Sequence, residues 1–188
     1  MTKKKNFNLA IVGLGNIGLN LYKNLLKNKK SIIEKNNVNF DIKYISAKNK
    51  KKKRGISIPK NKWLSNYLDA SKLDDIDIVI ELIGGADGPA KKLVFDSIRK
   101  KKHVVTANKS LISKYGDQLA LLAEKNKVNI EFEAAVAGGI PIIRTLKEGL
   151  VANKTKKIYG ILNGTSNFIL SNMDKMNISF SKVLNKAK

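Results

Sequence analysis

The segment Gly13-Leu14-Gly15-Asn16-Ile17-Gly18 is the strongest constraint on what this chain can fold into. It follows an apolar run, Leu9-Ala10-Ile11-Val12, and precedes an amphipathic stretch at residues 19–26. That order predicts strand, glycine turn, helix. Each glycine has its own duty in a dinucleotide site. Gly13 permits a tight turn, Gly15 lets the backbone approach a pyrophosphate, and Gly18 lets the helix lie close to the strand. The helix start at Asn16 and Ile17 then offers free N–H groups and the positive end of the helix dipole to phosphates. A turn that needs glycine for backbone geometry alone would carry the same pattern.

The remaining sequence supports a parallel α/β sheet, because apolar runs alternate with helical stretches. Strands are predicted at 9–12, 40–47, 76–83, 103–106 and 128–132, and helices at 16–29, 89–101 and 111–125. Residues 29–39 read as a polar connection, 48–55 as a basic loop and 62–67 as an element of open type. The run at 76–83, bounded by Asp74-Asp75 and Gly84-Gly85, is largely apolar and reads as a strand buried on both faces. After about residue 131 the pattern changes. Residues 133–141 are mostly small, a helix is predicted at 141–150, a strand at 156–162, and helices at 167–176 and 180–188. The expected division is a dinucleotide-binding domain at 1–130 and an incomplete second domain at 131–188. That second domain would leave Phe168, Ile169, Leu170 and Phe180 exposed.

Composition narrows the function classes. The 188 residues contain no cysteine and one histidine, His103. Thiolate nucleophiles, disulfides and Cys-based metal sites are therefore excluded, and His103, at a predicted strand start, reads as structural or solvated. No apolar run approaches the roughly 20 residues that span a bilayer, and no signal-peptide cleavage pattern follows the basic N-terminus. The expected location is cytoplasmic. The formal net charge of +22 raises the question of a nucleic-acid partner. The basic residues are nearly all lysine, recur along the whole chain, and lack interleaved aromatics. Lysine enrichment of solvated faces accounts for this without a nucleic-acid or membrane partner.

Two further positions speak to the ligand. A dinucleotide site that takes the unphosphorylated cofactor has an acidic residue after the second strand, for the ribose hydroxyls. Here that stretch reads Ile45-Ser46-Ala47-Lys48-Asn49. Lys48, with neighbours at 50–54, suits a 2′-phosphate, so NADP(H) is expected ahead of NAD(H); a solvated lysine loop explains the same residues. Ile83 and Gly84, at the end of the 76–83 strand, should border the nicotinamide side of the cleft.

In order along the chain, the glycine motif, Val79-Ile80-Glu81-Leu82-Ile83-Gly84-Gly85, Val104-Val105-Thr106-Ala107-Asn108-Lys109, the 133–141 segment and Gly160-Ile161-Leu162-Asn163-Gly164-Thr165-Ser166-Asn167 resemble the N-terminal part of homoserine dehydrogenases. The resemblance implies a Rossmann-like doubly wound sheet followed by the start of a mixed α/β catalytic and dimerisation domain. It implies reversible reduction of L-aspartate 4-semialdehyde to L-homoserine, in threonine, methionine and isoleucine biosynthesis, by a homodimer. Thr106 and Lys109 would face cofactor and substrate, and the Lys109 ammonium would stabilise charge on the reacting oxygen or supply the proton. Glu133, Val136, Gly138 and Ile140 match a monovalent-cation loop that would hold sodium, and Gly164 would approach the nicotinamide through its backbone. The family's last catalytic motif is expected beyond residue 188, so the expectation is a fragment or a truncated protein that is not active alone. A different Rossmann-fold oxidoreductase and a basic, non-enzymatic nucleic-acid-binding protein remain the alternatives.

Overall fold

The structure, a computed structural model, describes residues 5–160 and 164–187. It divides into two compact units, Met1–Ala135 and Val136–Lys188.

The first unit is built on a five-stranded, wholly parallel sheet: β1 (Lys5–Val12), β2 (Val38–Ser46), β3 (Ile78–Glu81), β4 (His103–Thr106) and β5 (Ile130–Glu131), in the spatial order β2-β1-β3-β4-β5. Parallel strands need crossovers, and helices supply them: α1 (Asn16–Lys27), α2 (Lys29–Asn36), α3 (Asp69–Lys72), α4 (Pro89–Arg99) and α5 (Lys109–Asn126). Strand order reverses between β1 and β3, so the crevice beyond their carboxyl ends is the expected ligand position.

Alternation along β1 separates two cores. Leu9 and Ile11 join Phe40, Ile42, Ile45 and Ile80 on one face, where Tyr22 of α1 and Ile32 of α2 pack. Ala10 and Val12 join Val79, Ala70 of α3 and Leu93 of α4 on the other. A third cluster joins α4 and α5 to β4 and β5 through Val94, Ile98, Val104, Leu111, Leu119 and Ile130. The expected doubly wound α/β architecture is thus the observed one.

Several boundaries differ from expectation for identifiable reasons. The polar stretch 29–39 contains α2. Its backbone continues from α1 through Asn28, whose carbonyl accepts from Ile32 N–H, and it stops at Asn37 in the left-handed region. Few apolar positions announce this helix; it needs only Ile32 against the core. The open-type element is a 3-10 turn at Lys60–Lys62 followed by a single parallel bridge from Trp63 to Ile45, on the outer side of β2. β3 ends at Glu81 rather than Ile83, because the Glu81 side chain captures the N–H groups that would continue the ladder.

β2 contains a bulge that the sequence does not reveal. Leu9 pairs with Ile42 and Ala10 with Tyr44, leaving Lys43 as the extra residue. The bulge moves Tyr44 to the opposite core from Ile42. It also lets consecutive side chains, Lys43 Nζ and Tyr44 Oη, reach the same Asp75 Oδ2 at 2.8 and 3.0 Å. His103 is structural: its Nδ1 accepts from Asn129 N–H at 3.0 Å, joining the starts of β4 and β5.

The regular elements described in the second unit are helical. A short helix α6 (Ile142–Arg144) runs into a π turn at Thr145–Gly149, and α7 (Gly164–Met176) packs on α8 (Phe180–Ala187). The helix expected at 141–150 is therefore partly π-wound. The strand expected at 156–162 does not form over 156–160, where no partner ladder exists among the described residues; Ile161 and Leu162 lie outside them. Phe168, Leu170 and Phe180 are exposed as expected, but Ile169 is buried, as is Val183. No described helix is long and apolar enough to cross a membrane.

The hydrogen bond from Lys43 holds the Asp75 carboxyl below its ordinary value of 3.8, partly opposed by burial and aided by Tyr44. A depressed folded-state value adds stability above the unfolded value, and that increment disappears as pH falls through the depressed one. Asp75→Asn is expected to melt below the parent at pH 7, with the difference shrinking below about pH 3.8. Thermal melts between pH 7 and pH 2.5 test this; a difference that stays constant would contradict it.

Candidate functional site

The carboxyl ends of β1, β2 and β3 open onto a cleft of about 980 Å³, whose walls include Gly13, Gly15, Ser46, Lys48, Arg54 and Ile83. The glycine turn forms its floor, and the glycines play unequal parts. Gly13 has φ +107°, donates its N–H to Ser46 O at 2.9 Å, and lies so close to the Leu82 carbonyl that a Cβ would overlap it. A Cβ on Gly18 would overlap the Gly13 carbonyl oxygen. Gly15 is different: φ is −77°, and nothing lies within 4 Å of where its Cβ would be. Gly13 and Gly18 are therefore required by the protein's own packing, while Gly15 keeps space clear in the cleft.

Gly15 is the N-cap of α1, and no side chain caps that end. The first-turn N–H groups of Asn16, Ile17 and Gly18 lack intrahelical partners by helix geometry. No acidic residue sits in that turn. An uncapped, exposed helix start beside a clear floor presents N–H groups and the positive end of the helix dipole, the chemistry that suits an anionic group.

The basic loop after β2 is a built structure. Asn49 Oδ1 accepts from the N–H groups of Lys51 and Lys52 at 3.0 and 3.1 Å. Arg54 Nε donates to Leu14 O at 3.1 Å, in the glycine turn itself. Its remaining nitrogens donate to the carbonyls of Asn49 at 2.7 Å, Lys52 at 2.8 Å and Lys50 at 3.4 Å, and the guanidinium stacks 5.6 Å from the Trp63 ring centre. Arg54 thus staples the loop to the turn, and its charge is directed at backbone carbonyls. Lys48, Lys50 and Lys52 line the cleft, with Lys48 exposed. Among the described residues, no carboxylate lines this wall.

At the opposite wall, Gly84 and Gly85 follow Ile83 with φ +84° and +82°. Thr106, expected to face the ligand, is buried, and its hydroxyl donates to Glu81 Oε2 at 2.6 Å. Asn108 caps α5 by accepting from Leu111 N–H at 3.1 Å and donates through Nδ2 to Gly85 O at 2.7 Å. Lys109, the first residue of α5, is exposed and lies outside the cleft lining. Glu81, Asn108 and Arg54 carry this geometry, yet their roles are not apparent in the sequence. The available signal for Glu81 was a carboxylate inside a run of six residues otherwise wholly apolar, Ile78-Val79-Ile80-Glu81-Leu82-Ile83.

The remaining expected site residues fall near or within the second unit. Glu133 belongs to a 3-10 turn, Glu133–Ala135, that ends the first unit. Val136 is extended and precedes a turn in which Gly138 and Gly139 have φ +59° and +103°; Ile140 is exposed. Gly164 is exposed at the start of α7, next to Ile161, Leu162 and Asn163, which lie outside the described residues. Among the described residues, no three His, Asp or Glu side chains converge as metal ligands.

Replacing Gly18 with alanine is expected to cost about 1–3 kcal/mol through forced displacement of the turn, whereas Gly15→Ala should stay within about 1 kcal/mol of the parent. Urea denaturation of the two variants measures this, and equal losses would refute the division of labour among the glycines.

Residues 13–133 match the family described as "Homoserine dehydrogenase, NAD binding domain", and residues 141–188 match "Homoserine dehydrogenase". The chain is 40% identical over 184 residues to the homoserine dehydrogenase of Bacillus subtilis (strain 168), and 42% identical over 184 residues to that of Neisseria gonorrhoeae. In each case the match covers 98% of this chain and 42% of the relative, so the chain spans about two fifths of their length. The crystal structure of a homoserine dehydrogenase from Thiobacillus denitrificans superposes with a TM-score of 0.81 at 39% identity, over 100% of this chain and 43% of that one.

Proposed function

Because the chain belongs to the homoserine dehydrogenase family, we propose that it carries the cofactor-binding machinery of an NADP(H)-dependent enzyme interconverting L-aspartate 4-semialdehyde and L-homoserine. Residues 1–130 form the cofactor domain in this reading, and 131–188 belong to a catalytic and dimerisation domain. The enzyme would act as a cytoplasmic homodimer in threonine, methionine and isoleucine synthesis.

The observation that carries the reading is the clear space at Gly15, beneath an uncapped helix start and beside a lysine-bearing, acid-free end of β2. The donor set fits a phosphorylated dinucleotide. Backbone N–H groups of Asn16, Ile17 and Gly18 would hold the pyrophosphate. Lys48, with Lys50 and Lys52, would pair with a 2′-phosphate, and the Arg54 staple holds that loop ready, so less ordering remains to be done on binding. Bound there, the nicotinamide cofactor supplies or accepts the hydride. Ile83 and Gly84 would border its ring, with Thr106 buried behind them. Lys109 Nζ would stand by the substrate oxygen, stabilise the charge that grows there as the aldehyde is reduced, and deliver the proton that completes the alcohol. Carbonyls around Val136, Gly138 and Ile140, with the Glu133 carboxylate, would hold a sodium ion in a structural role.

Titration of this chain with NADPH and NADH, followed by nicotinamide fluorescence, tests the reading. NADPH is expected to bind at least tenfold more tightly, Lys48→Glu to erase most of that difference, and Gly15→Ala to abolish binding of both while the protein stays folded. Equal affinities unaffected by Lys48→Glu would overturn the NADP preference. Saturation by neither cofactor would overturn the site.

A further inference from the structure

Glu81 occupies the centre of the sheet, in register between Val12 of β1 and Thr106 of β4, and is fully buried. Among the described residues it has no ion-pair partner. A buried carboxylate is costly unless donors surround it, and here three do. Oε1 accepts from the N–H groups of Ile83 at 2.7 Å and Gly84 at 3.1 Å, and Oε2 accepts from the Thr106 hydroxyl at 2.6 Å. The Thr106 oxygen accepts in turn from Asn108 N–H at 3.0 Å, and the Asn108 side chain donates to Gly85 O. The bonds close a ring: Glu81 to the 83–85 turn, Gly85 to Asn108, Asn108 to Thr106, Thr106 back to Glu81.

A leucine at position 81 would serve a buried parallel strand as well as glutamate does, or better. It could not accept from the two N–H groups that turn the chain away from the ladder. Nor could it connect that turn to the residue preceding Lys109. The ring therefore answers to the two loops at its edge more than to the sheet. We infer that Glu81 is the positioning residue of the nicotinamide end of the site, holding the Ile83–Gly85 turn and the Asn108–Lys109 helix start as one unit. This rests on the cofactor reading above. It assigns to Glu81 no contact with cofactor or substrate.

Two substitutions break the ring at different points. Glu81→Gln keeps an acceptor for the turn, but its amide would donate to the Thr106 oxygen where the carboxylate accepted, so the bond is reversed and the Thr106 hydrogen loses its acceptor. Asn108→Asp keeps the cap on Leu111 N–H yet cannot donate to Gly85 O. Both variants and the parent would be titrated with NADPH and with 2′-phospho-ADP-ribose, which has every phosphate but no nicotinamide. The expected result is about tenfold weaker NADPH binding in each variant, with 2′-phospho-ADP-ribose affinity within about twofold of the parent, in line with loss of a hydrogen bond to a charged group. If Glu81→Gln does not melt cooperatively, Asn108→Asp decides. Unchanged NADPH affinity, or equal loss of both ligands, would overturn the inference, the second outcome marking the ring as general scaffolding. A parent chain that binds neither ligand would instead overturn the cofactor reading, and this inference with it.

Discussion

The backbone contact between the start of α1 and the end of β1 is the constraint on which the first unit depends. Gly18 rests on the Gly13 carbonyl, and Gly13 rests on the Leu82 carbonyl of the neighbouring chain segment. Three pieces of main chain meet there without side chains between them. The contact sets where α1 begins, aims its uncapped N–H groups into the crevice between β1 and β3, and leaves the Gly15 floor clear. Everything proposed about phosphate binding follows from that one close approach.

Around this contact the loops are ordered by side chains that bond to backbone. Arg54 ties the lysine loop to Leu14 O, and Asn49 shapes the same loop from within. Glu81 and Asn108 do the equivalent on the opposite wall. Such bonds suit a ligand site because they fix loop geometry while leaving the outward-facing groups free. They also explain why the charge of Arg54 is better understood as architecture than as part of an anion-binding set.

The sequence was most legible where one residue type had a local geometric duty. The glycine motif and the alternation of apolar runs with helices led to the observed turn and sheet. It was least legible where the duty depended on a distant partner. The polar helix α2 needs only Ile32 to find the core, the bulge at Lys43 exists relative to the register of β1, and β3 is shortened by its own glutamate. The strand expected at 156–162 had suitable residues but, over its described residues 156–160, no neighbouring ladder among the described residues, and a strand's stability lies in its pairing. The family resemblance reached further than local physics, since its motifs at 79–85 and 104–109 contain the very residues that form the Glu81 ring.

The amino-acid sequence alone therefore determined the class of sheet, the position of the glycine turn and the lysines that follow β2, because these follow from backbone freedom and residue type at short range. Tertiary structure alone decided which cations face the cleft, which is consumed by carbonyls, and how a buried glutamate meets Thr106, 25 residues along the chain. Those outcomes turn on hydrogen bonds between segments brought together only when the strands align, and no local pattern encodes the partner.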